Sequence, residues 1–161
     1  MKPILPRLFL LLFICFAVAI FPLPDWATDY RPPLTLMFVL YVQCYLPAYF
    51  SLLALFMISL CLDALLFQVI GAHAFAMFLV TWLVNSKARR FHFFTIAQQL
   101  TLMSIFCCLY QFALLSVNFI FGFHCNWLQL VINPLLAILF WPWLKLLSEE
   151  WFQSNLKPLS Y

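Results

Sequence analysis

Six apolar runs separated by short polar or proline-rich breaks make up nearly the whole chain: residues 5–21, 34–46, 51–70, 72–85, 94–121 and 127–144. Each run is helical in length. The ~10-residue alternating segments of a transmembrane β-barrel are absent. The pattern predicts an all-α, polytopic membrane protein with six transmembrane helices in a single integral membrane domain.

The division of the second and third runs follows from geometry. The apolar stretch from Leu34 to Ile70 covers 37 residues, and at ~1.5 Å per residue it would reach ~55 Å against a ~30 Å hydrocarbon core. It must therefore turn, and Leu46-Pro47-Ala48-Tyr49 is the place, because Pro47 cannot continue a helical ladder unbroken. The second run is left short for a crossing. Three arrangements are open for it: extension by Pro33 and Leu46, burial against neighbours, or a re-entrant path. Gly71 permits a tight turn before the fourth run. At the N-terminus, Ala17-Val18-Ala19 resembles a signal-peptide cleavage site. Against that, Pro22-Leu23-Pro24-Asp25-Trp26 reads as an interfacial exit with an aromatic anchor, which favours an uncleaved first span. The sixth run closes on Trp141-Pro142-Trp143 and Lys145, an aromatic belt followed by a cation. The tail from Ser148 to Tyr161 reads as a frayed terminus.

Composition removes the soluble alternatives. Of 161 residues, 67% are apolar, 20% aromatic and 8% charged, with a mean hydropathy of +1.05. Soluble domains carry roughly 25% charged residues. The placement of charge says more than the net +3. With six spans, Lys2, Arg7, Lys87, Arg89, Arg90, Lys145 and Lys157 fall on one side and only Arg31 on the other. The positive-inside rule makes the first side cytoplasmic, with both termini inside. Both glycines, Gly71 and Gly122, then sit at outer hairpins. Five of the six cysteines lie inside apolar runs, where a thiol behaves as a small hydrophobe. Neither a disulfide framework nor a metal-ligand spacing is read from them.

Candidate chemistry is sparse. Asp63 is the one carboxylate in the third run, and no Lys or Arg lies between Arg31 and Lys87 to neutralise it. A charge deep in an apolar helix costs ~2.5–3.5 kcal/mol on insertion scales, so Asp63 is expected to stay protonated or to face a polar seam. Ser59, four residues earlier, shares its helix face, and His73 follows beyond the turn. An Asp-to-His proton relay is one reading. A hydrogen bond to a neighbouring helix end or polar side chain is the plainer and favoured one. Ser104, Gln111 and Asn118 recur every seven residues along the fifth run, with Gln98, Gln99 and Thr101 near its cytoplasmic end. Gln129 and Asn133 share a face of the sixth, where Pro134 introduces a bend. Such groups line a ligand cavity or, more commonly, stitch helices together. The basic turn Lys87, Arg89, Arg90 sets topology or meets a cytoplasmic partner or anionic lipid. Nucleophile elbows, zinc-protease motifs and phosphate-binding glycine loops are missing. No cofactor, metal or nucleic-acid partner is expected.

Taken in order, several short motifs resemble the rod shape-determining protein MreD family. They are Pro24-Asp25, Arg31-Pro32, Leu40-Tyr41, Leu46-Pro47, Leu62-Asp63, Gly71, the basic turn ending at Arg90, Gln98-Gln99, and Leu139-Phe140-Trp141-Pro142-Trp143-Leu144. They extend over roughly residues 20–148. The chain departs from the family where glycines usually flank the aspartate, having Ser59 and Phe67 instead. The resemblance implies a non-enzymatic scaffold in the bacterial inner membrane. Its implied partners are MreC, bound directly, and MreB, RodA and the partner transpeptidase of RodA within one complex that directs lateral peptidoglycan synthesis. The family is also similar, more distantly, to the six-helix substrate-binding subunits of energy-coupling-factor vitamin transporters. A competing reading is therefore a small-ligand or lipid binder with Asp63, Gln111, Asn118 and Asn133 around a pocket. A membrane enzyme acting on lipid-linked precursors would need a second titrating group near Asp63, which the sequence does not show.

Overall fold

A computed structural model describes residues 4–21, 32–66, 69–85, 91, 93–122 and 126–153. The described residues form six helices and no strands. They are α1 (Ile4–Ile20), α2 (Leu34–Tyr45), α3 (Leu52–Leu65), α4 (Ala72–Asn85), α5 (Ile96–Ile120) and α6 (Gln129–Gln153), with a 3-10 turn at Pro47–Tyr49 between α2 and α3. α5 and α6 are long and apolar enough to cross a membrane; the other four are shorter apolar helices.

The bundle is built around its shortest main helix. α2 has 12 residues, and every one from Thr35 to Cys44 is buried. It packs on α1, α4 and α6. A helix apolar on all sides has no face to offer water and is stable only when surrounded. At ~1.5 Å per residue it is ~18 Å long, so it occupies the middle of the bundle, and of the three arrangements open for it the structure has burial against neighbours. The described bundle is thus organised around α2.

The other pairings run in chain order: α3 on α4, α4 on α5 and α5 on α6. α4 turns His73, Ala76, Met77, Val80, Thr81 and Val84 inward, the i, i+3, i+4 spacing of one helix face. α6 buries Asn133, Ala137 and Trp141, each one turn apart, and exposes Val131, Leu135, Leu139 and Trp143 on its other side. Pro134 and Pro142 lie inside this helix.

Two boundaries differ from the sequence reading. The expected span 51–70 ends its helix at Leu65, with Leu66 closing the last turn through its N–H to the Leu62 carbonyl at 2.9 Å. The expected end near residue 144 is overrun, because α6 continues to Gln153 through the start of the presumed frayed tail. Apolar run length marks where lipid-compatible sequence stops, whereas a helix continues as long as its backbone ladder does.

Candidate functional site: the Asp63 clasp and the polar end of the bundle

Asp63 lies in the last turn of α3 with its side chain fully buried. Its Oδ2 accepts the Gly71 N–H at 2.6 Å. Its Oδ1 accepts the His73 N–H at 3.1 Å and faces His73 Nδ1 at 2.7 Å. Gly71 immediately precedes α4 and His73 is its second residue, so the carboxylate of one helix caps the N-terminus of the next. The first N–H groups of a helix have no partner within it, and that end carries partial positive charge. Backbone donors and an imidazole thus take the place of the missing lysine or arginine. Gly71 supports the turn with φ +95°, a conformation that side-chain-bearing residues adopt at a cost.

Ser59 shares the α3 face but not the clasp. Its hydroxyl donates back to the Leu55 carbonyl and touches Met77 Sδ of α4 at 3.7 Å. Ser59 is fully buried. The close approach of α3 and α4 is made at this position with a small residue whose hydroxyl is satisfied within its own helix. Phe67 lies outside the described residues.

A chain of amides ties α5 to α6. Asn133 Nδ2 donates to Gln111 Oε1 at 3.0 Å, and Gln111 Nε2 donates to Gln129 Oε1 at 2.7 Å. Of the seven-residue stripe only Gln111 joins this network. Ser104 and Asn118 are half-buried and stay outside it. The His73 ring sits 6.0 Å from that of Tyr110 on α5, tilted by 60°. Between the clasp and the amides lies a polar cavity of about 280 Å³, walled by Pro32 to Leu36 at the start of α2, by His73, and by Tyr110, Gln111, Gln129 and Asn133. Asp63 stands behind His73 and does not line it.

A second polar node holds the opposite end. Gln99 Oε1 accepts from Lys145 Nζ at 3.3 Å and Tyr45 Oη at 3.4 Å, while its Nε2 donates to the Phe94 carbonyl at 3.1 Å. Fully buried Phe91 packs edge-on against Trp141 at 5.9 Å and Tyr45 at 6.1 Å. Gln98 is taken up in a capping box with Thr95 at the start of α5. Lys87, Arg89 and Arg90 lie outside the described residues.

Sequence reasoning missed Gln43. Deep in α2, its Nε2 donates to the Thr81 carbonyl of α4 at 2.8 Å. A lone amide in the shortest and most apolar-flanked run was the signal available for it. Tyr45, Thr81 and Tyr110 were also passed over, since nothing in an apolar run marks which hydroxyl faces inward. Among the described residues no group of three His, Cys, Asp or Glu side chains is placed to hold a metal ion.

A helical bundle with a largely apolar exterior and two helices long and apolar enough to cross a membrane is consistent with a membrane-associated protein. The chain matches the family model for rod shape-determining protein MreD over residues 1–150, and it belongs to that family. No curated protein and no solved structure matches it. The family is membrane-associated and acts in determining rod shape.

Proposed function

We propose that the chain is a non-enzymatic, multi-pass scaffold of the bacterial inner membrane. In this reading it crosses six times with both termini in the cytoplasm. It organises lateral peptidoglycan synthesis by binding MreC, with MreB, RodA and the transpeptidase partner of RodA in the same complex. The observation that carries it is the division of the bundle into an interior that holds its polar side chains and an exterior that is largely apolar. The polar groups of the clasp and the amide chain meet one another, while Phe13, Leu53, Trp82 and Ile120 are 70–78% exposed. So much apolar surface is incompatible with water and suited to lipid and to the spans of partners. The four shorter helices cross within a bundle whose depth α5 and α6 set, with local thinning or tilt making up the difference. The basic turn Lys87, Arg89, Arg90 faces the cytoplasm, where its first role is topological and its second is contact with MreB or anionic lipid.

Depletion with complementation tests this. The host is depleted of the protein and scored for shape, and tagged protein is purified from detergent for mass spectrometry of what accompanies it. Rounded cells and recovery of an MreC-like single-span protein are expected. Normal rods on depletion would overturn the reading.

A further inference from the structure

Among the described helix starts, α4 and α5 carry side-chain caps, whereas α2 and α3 carry none. Asp63 caps α4, and the Thr95–Gln98 box caps α5. α2 begins after Pro33, which supplies no side-chain cap. The Leu34 N–H turns back to the Pro32 carbonyl at 2.7 Å and the Met37 N–H reaches the Pro33 carbonyl at 3.1 Å. The N–H groups of Thr35 and Leu36, between them, have no acceptor among the described residues, although both residues are buried. Buried backbone donors left in this way are rare. These residues form part of the wall of the 280 Å³ cavity. The helix axis carries their N–H groups toward its N-terminal end, where a negative or carbonyl oxygen is favoured.

Across the cavity stands an independent feature. Asn133, 5% exposed, lines the opposite wall, and its Oδ1 has no hydrogen-bond donor. That amide asks for a donor where α2 asks for an acceptor. A volume of 280 Å³ corresponds to about nine waters at ~30 Å³ each. It is too small for a helix or a strand of a partner and sufficient for a molecule of several heavy atoms.

We propose that this cavity binds a small polar molecule of the hydroxy-acid or amino-acid class, its carboxylate on the Thr35 and Leu36 N–H groups and its adjacent hydroxyl or ammonium on Asn133 Oδ1. The inference goes beyond the scaffold reading and stands without it. His73 also lines the cavity, so the clasp and the ligand site share a side chain.

Thermal unfolding of the full chain in detergent micelles, with four probes, tests it. L-serine and lactate carry both groups, acetate lacks the donor, and ethanolamine lacks the carboxylate. A saturable rise of about 2–4 °C with L-serine or lactate, and a smaller one with acetate and ethanolamine, is expected. Asn133→Leu removes the acceptor and Ala19→Phe fills the rim from the end of α1; each abolishes the rise while eluting as the parent does on size exclusion. Absence of a rise with all four probes, equal rises with all four, or a rise that survives in Ala19→Phe would overturn the proposal. Protection gained only from an added partner protein would overturn it in favour of protein docking.

Discussion

Asp63 holds His73 twice, through the backbone N–H at 3.1 Å and the ring Nδ1 at 2.7 Å, across a change of helix. One carboxylate thereby fixes where α4 starts and how the imidazole is turned. The ring nitrogen that remains is Nε2, on a residue that also lines the polar cavity.

Removal of the clasp should be costly. Asp63→Ala leaves the half-buried N–H of Gly71 and the buried N–H of His73 without their acceptor. Loss of a cap costs about 0.5–2 kcal/mol and each buried donor left unsatisfied about 1–3, so a loss of roughly 2–4 kcal/mol is expected. Asp63→Asn keeps one acceptor oxygen and should lose less. Chemical or thermal unfolding in detergent would show this order, and an Asp63→Ala variant as stable as the parent would remove the clasp from the account.

Gly71 separates backbone strain from packing. A Cβ there meets nothing within 4 Å, yet φ is +95°. Gly71→Ala should therefore destabilise by about 1–2 kcal/mol through the backbone alone. The same measurement on Gly122→Ala, with φ +75° and equal open space, should give a similar loss. A neutral Gly71→Ala would mean that the turn relaxes to another conformation.

Gln43 is a buried amide with one end unsatisfied, since its Oε1 has no donor while its Nε2 binds the Thr81 carbonyl. Interhelical bonds of this kind average ~0.6 kcal/mol in membrane proteins. Gln43→Met preserves volume, relieves the unpaired oxygen and should leave stability within about 1 kcal/mol of the parent. Gln43→Ala opens a hole in the central helix and should lose roughly 2–4 kcal/mol, by analogy with large-to-alanine changes in other cores. Equal losses in both variants would show that the amide, and not the volume, is what matters.

Gln99 ties three elements together: the Phe91–Phe94 segment, Tyr45 of α2 and Lys145 of α6. Gln99→Leu removes all three bonds and retains the bulk. Limited trypsin digestion should then cut faster at Lys87, Arg89 and Arg90, with global unfolding shifted by only about 1–2 kcal/mol. An unchanged cleavage rate would show that Phe91 alone anchors the segment.

The sequence by itself determined the all-helical class of the chain and singled out Asp63. Long apolar runs permit only helices, because backbone groups away from water must bond within their own segment. Asp63 was conspicuous as the single carboxylate in such a run. Its partners, Gly71 and His73, lie within ten residues, so one hairpin suffices to bring them together. The tertiary structure decided what depends on distant neighbours. Sequence left the place of α2 open between three arrangements, and only contact with α1, α4 and α6 put it at the centre. The stripe Ser104, Gln111, Asn118 shows the same limit. A seven-residue repeat drifts ~20° per heptad on a straight helix, and which member is used depends on where α6 brings Gln129 and Asn133. Gln111 meets them and the other two do not. Spacing fixes the face of a helix, but the partner that gives a polar residue its role comes from another part of the chain.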